Sequence, residues 1–510
     1  MRYIKFSCLI ILFFSIYSCS TKINKNADDG IIKLSFIQIN DVYEIQPLEM
    51  GHAGGMARVA TQKKLSLNEN PNTFLVMAGD FLSPSIYNSL KVNGVRVRGR
   101  QMVEAMNVAG TDLAMFGNHE FDINENELQS RINESKFDWI SSNTFHNVNN
   151  STEPFYKIEN GSNIPFPETR IINISDADGT TAKIGFIAVT LPFNKASYVV
   201  YTDPLEAAIK AYNTIKDSCD IVVAITHQAM PDDVILAERL PQLAIIMGGH
   251  EHDMRHQKVG NVWITKAHAN AISVFKNDIV INKKNKNFTT TTSLIYMNDS
   301  VALDSTVSVV VKKWEDISNK NFASLGFDAK KIVINNGETL DGKEAHVRSQ
   351  STNLTRLVVK SMEAACPEAD VAIVNSGSIR VDDELHPPIS QYDILRTMPF
   401  GGAIVEVDME GSLLSKILSI GLTNIGTGGF LQYSEKLTHN EGKWFISGKP
   451  IEDSKIYRVA LTDFLLTGGE SNLELLTDKN PSIKKVYPLA TEISNPRSDI
   501  RLAIIKYASK

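Results

Sequence analysis

Cysteine is scarce in this sequence, with four residues in a chain of 510. Cys8 lies in the apolar stretch at the amino terminus and Cys19 directly follows that stretch, which leaves Cys219 and Cys366 for the folded body. These two lie beside apolar strands in different halves of the chain. We therefore expect two buried thiols rather than a framework of disulfides.

Other absences exclude whole classes of protein. The net charge is −6 and no long basic run occurs, so the electrostatic footprint of a nucleic-acid-binding protein is missing. No repeat of solenoid period is found. The 43% hydrophobic and 22% charged residues are ordinary for a soluble globular protein, and the length predicts two domains with connecting elements.

The amino terminus has the pattern of a targeting segment. Arg2 and Lys5 precede the apolar stretch from Phe6 to Tyr17, which is shorter than the roughly 20 residues of a transmembrane helix. Residues 1–18 are therefore predicted to be a secretory signal peptide. Ile16-Tyr17-Ser18-Cys19 resembles a bacterial lipobox. We expect lipidation of Cys19, a tether over 19–30, and a lipid-anchored protein in the periplasm or on the outer-membrane surface; the alternative is a plain signal peptide.

Apolar runs in the first half repeatedly end in polar residues. The central example, Leu113 to Phe116, stops abruptly at a polar tetrapeptide. Strands of open α/β sheets build their sites at their carboxyl ends. The pattern occurs in five runs, which end at Asn40-Asp41, Gly79-Asp80, Gly117-Asn118-His119-Glu120, His227 and Gly248-Gly249-His250-Glu251-His252.

The side chains at these strand ends are typical metal ligands. Carboxylate, amide and imidazole groups suit divalent Mn, Fe, Zn or Co, and one carboxylate can bridge two ions. A single polar residue after a strand is often only the start of a loop. Five such ends in one domain, three of which carry His, favour a dinuclear hydrolytic site.

The coarse pattern predicts an α/β fold. Helices are expected over Ala57 to Leu67 and Gln101 to Ala109, each between strands, while Asn143 to Pro165 is rich in Asn, Ser and Gly and is interpreted as surface loops. We place a first domain at 31–300, a helical connector at 301–330 and a second domain at 331–510.

Taken in order, the five strand ends resemble the signature of the calcineurin-like metallophosphoesterases. The second half adds Asn375-Ser376-Gly377-Ser378-Ile379-Arg380, Pro399-Phe400-Gly401, Gly428-Gly429-Phe430-Leu431-Gln432, and Phe464 before Gly468-Gly469. These segments resemble the carboxyl-terminal domain of the 5′-nucleotidase family. The resemblance implies a layered α-β-β-α metallophosphoesterase domain followed by a smaller α/β substrate-binding domain.

The resemblance also implies a ligand set for two divalent ions, Zn, Mn, Co or Fe. Asp41, Asp80 and His252 would hold one ion, and Asp80, Asn118, His227 and His250 the other. Tyr43 stands where the family has a His. A neutral phenol binds metal poorly, so a weaker first site, a one-metal domain and an inactive domain stay open as alternatives.

The remaining roles follow from the same resemblance. His119 would stabilise the transition state and assist the leaving group, and Asp122, three residues later, would orient it. In the second domain the substrate would contact Asn375, Arg380, Phe430, Phe464 and Arg348. Glu470 replaces the Asp that the family uses for the ribose, so the preferred nucleotide is left open.

Together these features predict a metal-dependent phosphomonoesterase that hydrolyses nucleoside 5′-monophosphates or related nucleotides through a metal-activated water. Alternatives on the same frame are a cyclic-nucleotide phosphodiesterase or a UDP-sugar hydrolase. A surface nucleotide-binding protein without turnover is the alternative from another class. We expect a monomer with a nucleotide substrate, a membrane anchor and no nucleic-acid partner.

Overall fold

The computed structural model describes residues 28–193 and 196–510. The signal peptide predicted for 1–18, the lipidation predicted for Cys19 and most of the tether lie outside the described residues and stay predictions. Among the helices of the described part, none combines the length and apolar character needed to cross a membrane. Cys219 and Cys366 are free thiols; Cys366 is buried, whereas Cys219 is only partly so.

The first half of the chain alternates short strands and helices. Its strands are β1 (Ile31–Ile39), β2 (Thr73–Met77), β3 (Lys91–Val92), β4 (Val95–Arg96), β5 (Leu113–Ala114), β6 (Asp138–Trp139), β7 (Thr144–Val148), β8 (Ser151–Glu153), β9 (Tyr156–Glu159), β10 (Ser162–Pro165), β11 (Thr169–Ser175), β12 (Thr181–Thr190), β13 (Val199–Tyr201), β14 (Ile221–His227), β15 (Ile246–Gly249), β16 (Arg255–Val259), β17 (Val262–Lys266), β18 (Ser273–Asn282) and β19 (Asn287–Tyr296). Its helices are α1 (Met56–Glu69), α2 (Arg100–Ala109), α3 (Glu125–Glu134), α4 (Pro204–Ile215), α5 (Met230–Arg239) and α6 (Ser305–Ser324).

Two six-stranded sheets form the centre of this half, in the orders β19-β18-β1-β2-β5-β6 and β11-β12-β14-β15-β17-β16. Residues of β1 alternate between the two faces of their sheet. Leu34 and Phe36 pack between the sheets, whereas Ile37 and Ile39 pack towards the helices. Phe36 meets Phe186 of the second sheet edge-on at 5.8 Å between ring centroids. The result is an α-β-β-α sandwich.

Strand register brings the polar strand ends into line. β1, β2 and β5 run parallel, with Ile39 opposite Met77 and Met77 opposite Ala114. In the other sheet His227 lies opposite Gly249 at the ends of β14 and β15. The residues that follow these strands therefore emerge at one end of each sheet.

The interpretation of Asn143 to Pro165 as surface loops is wrong. This segment forms the antiparallel pairs β7–β8 and β9–β10. Asn149, Asn150, Asn160 and Gly161 adopt positive φ at the tips, which is the backbone that tight hairpin turns require. The Asn and Gly that suggested loops are turn residues between short strands.

The second half has its own sheet. Its strands are β20 (Ile332–Ile334), β21 (Leu340–Asp341), β22 (Val371–Asn375), β23 (Glu384–Leu385), β24 (Ile389–Ser390), β25 (Ile404–Glu410), β26 (Leu431–Tyr433), β27 (Leu437–Asn440), β28 (Lys443–Ile446), β29 (Lys449–Pro450), β30 (Ile456–Thr462) and β31 (Ile483–Val486). Its helices are α7 (Glu344–Val347), α8 (Asn353–Ala365), α9 (Gln391–Thr397), α10 (Gly411–Thr423) and α11 (Ile500–Ala508).

The sheet of this domain has the order β26-β22-β30-β25-β31. Buried residues of α8 and α11 share one apolar core with it and those of α10 another. The two halves also contact each other directly. The hydroxyl of Tyr392 on α9 donates to the buried carboxylate of Glu44 at 2.6 Å. Helix α6, within the predicted connector, buries Trp314 in the first domain, where its indole donates to Glu104 at 3.0 Å.

Replacing Phe36 tests the core between the two sheets. Its side chain is fully buried, so Phe36→Ala leaves a cavity and should destabilise the first domain by about 3–5 kcal/mol. Urea unfolding followed by tryptophan fluorescence measures the loss. Lys33→Ala, at an exposed position of the same strand, is the matched control and should unfold like wild type. An unshifted transition in Phe36→Ala would show that the sheets do not share this core.

Candidate active site

The ends of strands from both sheets meet at one buried cluster. Asp41 follows β1 and Asp80 follows β2 in one sheet, while His227 ends β14 in the other. Ligand atoms of these three side chains all lie within 4.8 Å of one another, and all three residues are buried. The two sheets thus contribute jointly to a site that could hold a cation.

His227 is oriented towards the two carboxylates. Its Nδ1 lies 2.7 Å from the carbonyl oxygen of Ala78, which accepts its proton. That bond directs Nε2 into the cluster, where it lies 3.0 Å from Asp80 Oδ2 and 3.7 Å from Asp41 Oδ1. The lone pair of Nε2 is therefore the one available to a metal.

The charges of the cluster favour a cation at its centre. Burial raises the pKa of the Asp41 carboxyl, but the charges of His227 and His252 outweigh it and hold that pKa well below its usual range. Burial lowers the pKa of His227, yet Asp80 and Asp41 raise it to about 9. Positive charge between the two carboxylates is thus strongly stabilised, and a divalent ion would supply it.

Two further predicted ligands, Asn118 and His250, have the properties that a second cation would require. Asn118 Oδ1 is buried and has no hydrogen-bond partner among the described residues. Such an orphaned oxygen is unusual, and a cation bound there would give it a partner. Burial and the charge of His227 lower the pKa of His250 to about 4, so its imidazole is neutral and able to ligate. Its ring lies 5.6 Å from that of His227. Mixed nitrogen and oxygen donors fit Zn, Mn, Fe or Co.

The backbone at these positions is strained. Asp41, Asp80, His250 and His252 have φ values of 53°, 56°, 91° and 58°, in the left-handed region that side chains seldom adopt. Gly79 allows a close approach, because a Cβ there would lie 2.6 Å from His227 Nδ1. Strain of this kind costs about 1–3 kcal/mol per residue and clusters at functional sites.

His119 and Asp122 lie beside the cluster in a short 3-10 helix, His119–Asp122. His119 Nδ1 lies 2.7 Å from Asp122 Oδ2, and its backbone N–H donates to Asp80 Oδ1 at 2.7 Å. Burial lowers the pKa of His119, but Asp122 and Asp80 raise it above its usual value. The expected orientation of His119 by Asp122 is present.

The second domain brings Arg380 to this pair. Arg380 Nη2 lies 3.4 Å from His119 Nδ1 and 3.6 Å from Asp122 Oδ2. Arg348 is buried, pairs with Glu344 at 2.5 Å, and feels the charge of Arg380. Both arginines therefore lie in one polar cluster next to the candidate metal site.

The other predicted substrate residues lie farther along the same domain. Asn375 donates to Glu470 Oε2 at 2.6 Å. Phe430 is 7% exposed and Phe464 is 45% exposed, so only Phe464 presents a large ring face to solvent. Glu470 directly follows Gly469, which lies against the Phe464 ring: a Cβ atom on Gly469 would be 3.3 Å from it. The structure thus places an amide, a carboxylate and an aromatic ring close together.

Comparison with known protein families identifies the family to which this chain belongs. A model of the calcineurin-like phosphoesterases matches residues 34–254, and a model of the 5′-nucleotidase C-terminal domain matches residues 332–477. The chain belongs to the 5′-nucleotidase family of calcineurin-like phosphoesterases. It is therefore a phosphoric ester hydrolase by family, and the predicted two-domain α/β fold is confirmed.

Relatives of this family match most of the chain at low identity. The trifunctional nucleotide phosphoesterase protein YfkN of Bacillus subtilis is 24% identical over 90% of this chain, which spans only 33% of that protein. The 5′-nucleotidase of Bos taurus is 23% identical, over 82% of this chain and 78% of that protein. A crystal structure of a 5′-nucleotidase precursor from Thermus thermophilus superimposes with a TM-score of 0.67 at 20% identity, covering 94% of this chain and 96% of that one.

Tyr43, the departure from the family's His, points into the site. Its hydroxyl lies 2.8 Å from His252 Nε2 and 3.4 Å from carboxylate oxygens of Asp41 and Asp80. Burial and these carboxylates raise the pKa of Tyr43 well above its usual value. These surroundings favour the protonated phenol, which is a weaker metal ligand than imidazole.

Glu120 is a structural residue of this site that the sequence analysis missed. Its fully buried carboxylate accepts four backbone N–H groups, from Asp80 and Gly117 on one oxygen and from Phe81 and Leu82 on the other, at 2.6–3.0 Å. It ties together the two loops that carry Asp80 and Asn118. Its place in the Gly117-Asn118-His119-Glu120 motif is the signal that could have identified it.

Substituting Glu120 tests this loop anchor. Glu120→Gln replaces one acceptor oxygen with an amide donor and leaves two buried N–H groups unpaired, each at a cost of about 1–3 kcal/mol. We expect a lower unfolding midpoint and weaker Mn²⁺ binding, measured by thermal denaturation and by titration of the metal. Glu153→Gln, on exposed β8, is the control. Wild-type values for Glu120→Gln in both measurements would refute the role.

Proposed function

We propose that the chain hydrolyses nucleoside 5′-monophosphates, or related nucleotides, to nucleoside and phosphate in the cleft between its two domains. The observation that carries this proposal is the position of Arg380, a residue of the second domain that lies within 3.6 Å of Asp122 and His119 in the first. A substrate bound by the second domain would have its phosphate beside the metal ligands. The names of the relatives, a nucleotide phosphoesterase and a 5′-nucleotidase, support the same class of substrate.

Two divalent ions would supply the charge that activates water and neutralises the phosphoryl oxygens. The chain would hold them with Asp41, Asp80, Asn118, His227, His250 and His252. The contribution of the protein is to orient the donor atoms of these side chains. Ala78 fixes the tautomer of His227, and Asn40 donates to Asp41 Oδ2 at 2.7 Å, so the donor atoms are already directed before an ion arrives.

His119 would stabilise the leaving group. Asp122 holds its Nδ1 and, with Asp80, raises its pKa, which favours the protonated ring whose Nε2 could act as a donor. A hydrogen bond from Nε2 to the oxygen of the departing nucleoside would stabilise the charge that develops there. Arg380, always charged, lies beside this pair and would bind a phosphate oxygen.

The second domain would select the substrate. Phe464 offers an exposed ring on which a base can stack, and stacking tolerates different bases. Asn375 and Glu470 provide an amide and a carboxylate for the sugar and base. Binding energy from these remote parts positions the phosphate and so increases the rate of its hydrolysis. On the sequence alone, we further propose that Cys19 is lipidated and anchors this activity outside the inner membrane.

Phosphate release tests the proposal. Purified protein with Mn²⁺ or Co²⁺ is assayed with AMP, a cyclic nucleotide, a UDP-sugar and p-nitrophenyl phosphate. We expect turnover of AMP to exceed that of the cyclic nucleotide and the UDP-sugar. Phe464→Ala should raise the KM for AMP about 5- to 150-fold, because base stacking contributes about 1–3 kcal/mol, and should leave p-nitrophenyl phosphate hydrolysis unchanged.

Phe445→Ala, on β28, is the matched control and should behave like wild type. Nucleotide binding without phosphate release under every metal condition would contradict hydrolysis and favour the nucleotide-binding protein. Preference for the cyclic nucleotide or the UDP-sugar would favour the corresponding alternative. Equal effects of Phe464→Ala on AMP and on p-nitrophenyl phosphate would contradict the role of the second domain in substrate choice.

A further inference from the structure

One candidate ligand of the first domain is held from outside by the second domain. His252 Nε2 lies 3.4 Å from Asp41 Oδ1, inside the candidate metal site. Its other nitrogen, Nδ1, lies 2.6 Å from Asp382 Oδ2. Asp382 belongs to the segment just after the Asn375 to Arg380 motif, so a carboxylate of one domain faces a metal ligand of the other.

His227 provides the contrast within the same site. Its outer nitrogen is held by the carbonyl of Ala78, a backbone group of the first domain that follows β2. The orientation of His227 is therefore set by the first domain alone. The orientation of His252 depends on where the second domain lies.

The Asp382 carboxylate is itself fixed. Its other oxygen, Oδ1, accepts the backbone N–H of Glu344 at the start of α7, and the residue has a φ of 40°, a strained conformation that the surrounding contacts must maintain. Two residues earlier, Arg380 contacts Asp122 of the first domain. This short segment thus makes two separate contacts across the domain boundary.

A carboxylate behind a histidine has a defined effect on metal binding. Its negative charge beside Nδ1 favours a proton on that nitrogen, which leaves the lone pair on Nε2, and increases the basicity of the ligand. The ion pair between Asp382 and His252 Nδ1, at 2.6 Å, puts a carboxylate in this position. His252 is the nitrogen ligand expected for the ion at Asp41, because Tyr43 stands where the family has its other His, and a neutral phenol is a poorer metal ligand than imidazole. The ion at this position depends on His252 to an unusual degree.

We propose that Asp382 is a positioning residue that couples the arrangement of the two domains to metal binding at Asp41 and His252. The inference rests on the metal site of the proposed function and adds its regulation. When the second domain is in place, His252 is oriented and the ion binds tightly. By linkage, the bound ion favours that arrangement of the domains by the same factor.

Metal titration of the full chain in the absence of substrate tests the coupling. Mn²⁺ affinities are measured by competition with a chelator for wild type, Asp382→Ala and Asp382→Asn. We expect Asp382→Ala to weaken one of the two ions by about 10- to 100-fold and to leave the other unchanged. Asp382→Asn should lose less, because its amide oxygen can still face Nδ1 although it no longer carries the negative charge.

Glu384→Gln removes a carboxylate from the same segment, one that pairs with Lys343 at 3.1 Å, and serves as the matched control with wild-type affinities. Small-angle scattering supplies the second readout. Mn²⁺ should reduce the radius of gyration of wild type relative to the protein in chelator, and this reduction should be smaller in Asp382→Ala. Thermal unfolding in chelator confirms that the variants fold; if Asp382→Ala does not fold, Asp382→Asn decides.

Unchanged Mn²⁺ affinities in both Asp382 variants would overturn the proposal. So would a wild type whose scattering does not respond to Mn²⁺, or a response that the Asp382 variants retain in full. These results are independent of turnover. A wild type that binds two ions but hydrolyses no nucleotide would refute the proposed function instead, and the effect of Asp382 on metal binding would still be measured.

Discussion

Two carboxylates buried side by side are the constraint on which the rest of the structure depends. Asp41 and Asp80 are almost completely shielded from solvent, and like charges at such a distance repel strongly where water is excluded. His227 relieves part of that repulsion, which is why its pKa is raised to about 9. A divalent ion bound at Nε2 would displace that proton and take over its role with a larger positive charge. The stability of this end of the sandwich and its chemistry therefore have the same origin.

Several independent structural features hold the side chains of this cluster together. Each sheet supplies its own ligands in register, Glu120 ties two loops through backbone N–H groups, and Gly79 leaves space for His227. Four residues of the site have strained positive φ values, namely Asp41, Asp80, His250 and His252. The surrounding packing therefore overcomes the conformational preference of the local backbone. The second domain adds Arg380 and Asp382, so the finished site needs both halves of the chain.

The sequence predicts the strand ends of the site because an apolar run followed by a polar cluster is a local pattern, and the register of parallel strands does the rest. It did not reveal Glu120 or Asp382. Their roles depend on backbone groups and on an imidazole that lie far away in the chain, and no local periodicity reports such contacts. The hairpins between Asn143 and Pro165 were missed for another reason. Their strands are short, and one strand of each pair is fully exposed, so apolar alternation is weak and the turn residues gave the strongest signal.

Counting the bound ions tests most directly the claim that the strand ends of the first domain bind two divalent ions. The full chain is loaded with Mn²⁺, freed of excess metal and analysed by atomic emission beside Asp80→Ala, with Asp316→Asn on the exposed face of α6 as control. The account predicts two ions per chain in wild type and in Asp316→Asn, and fewer than one in Asp80→Ala, because Asp80 is the carboxylate expected to bridge both ions. Two ions bound to Asp80→Ala as firmly as to wild type would contradict it.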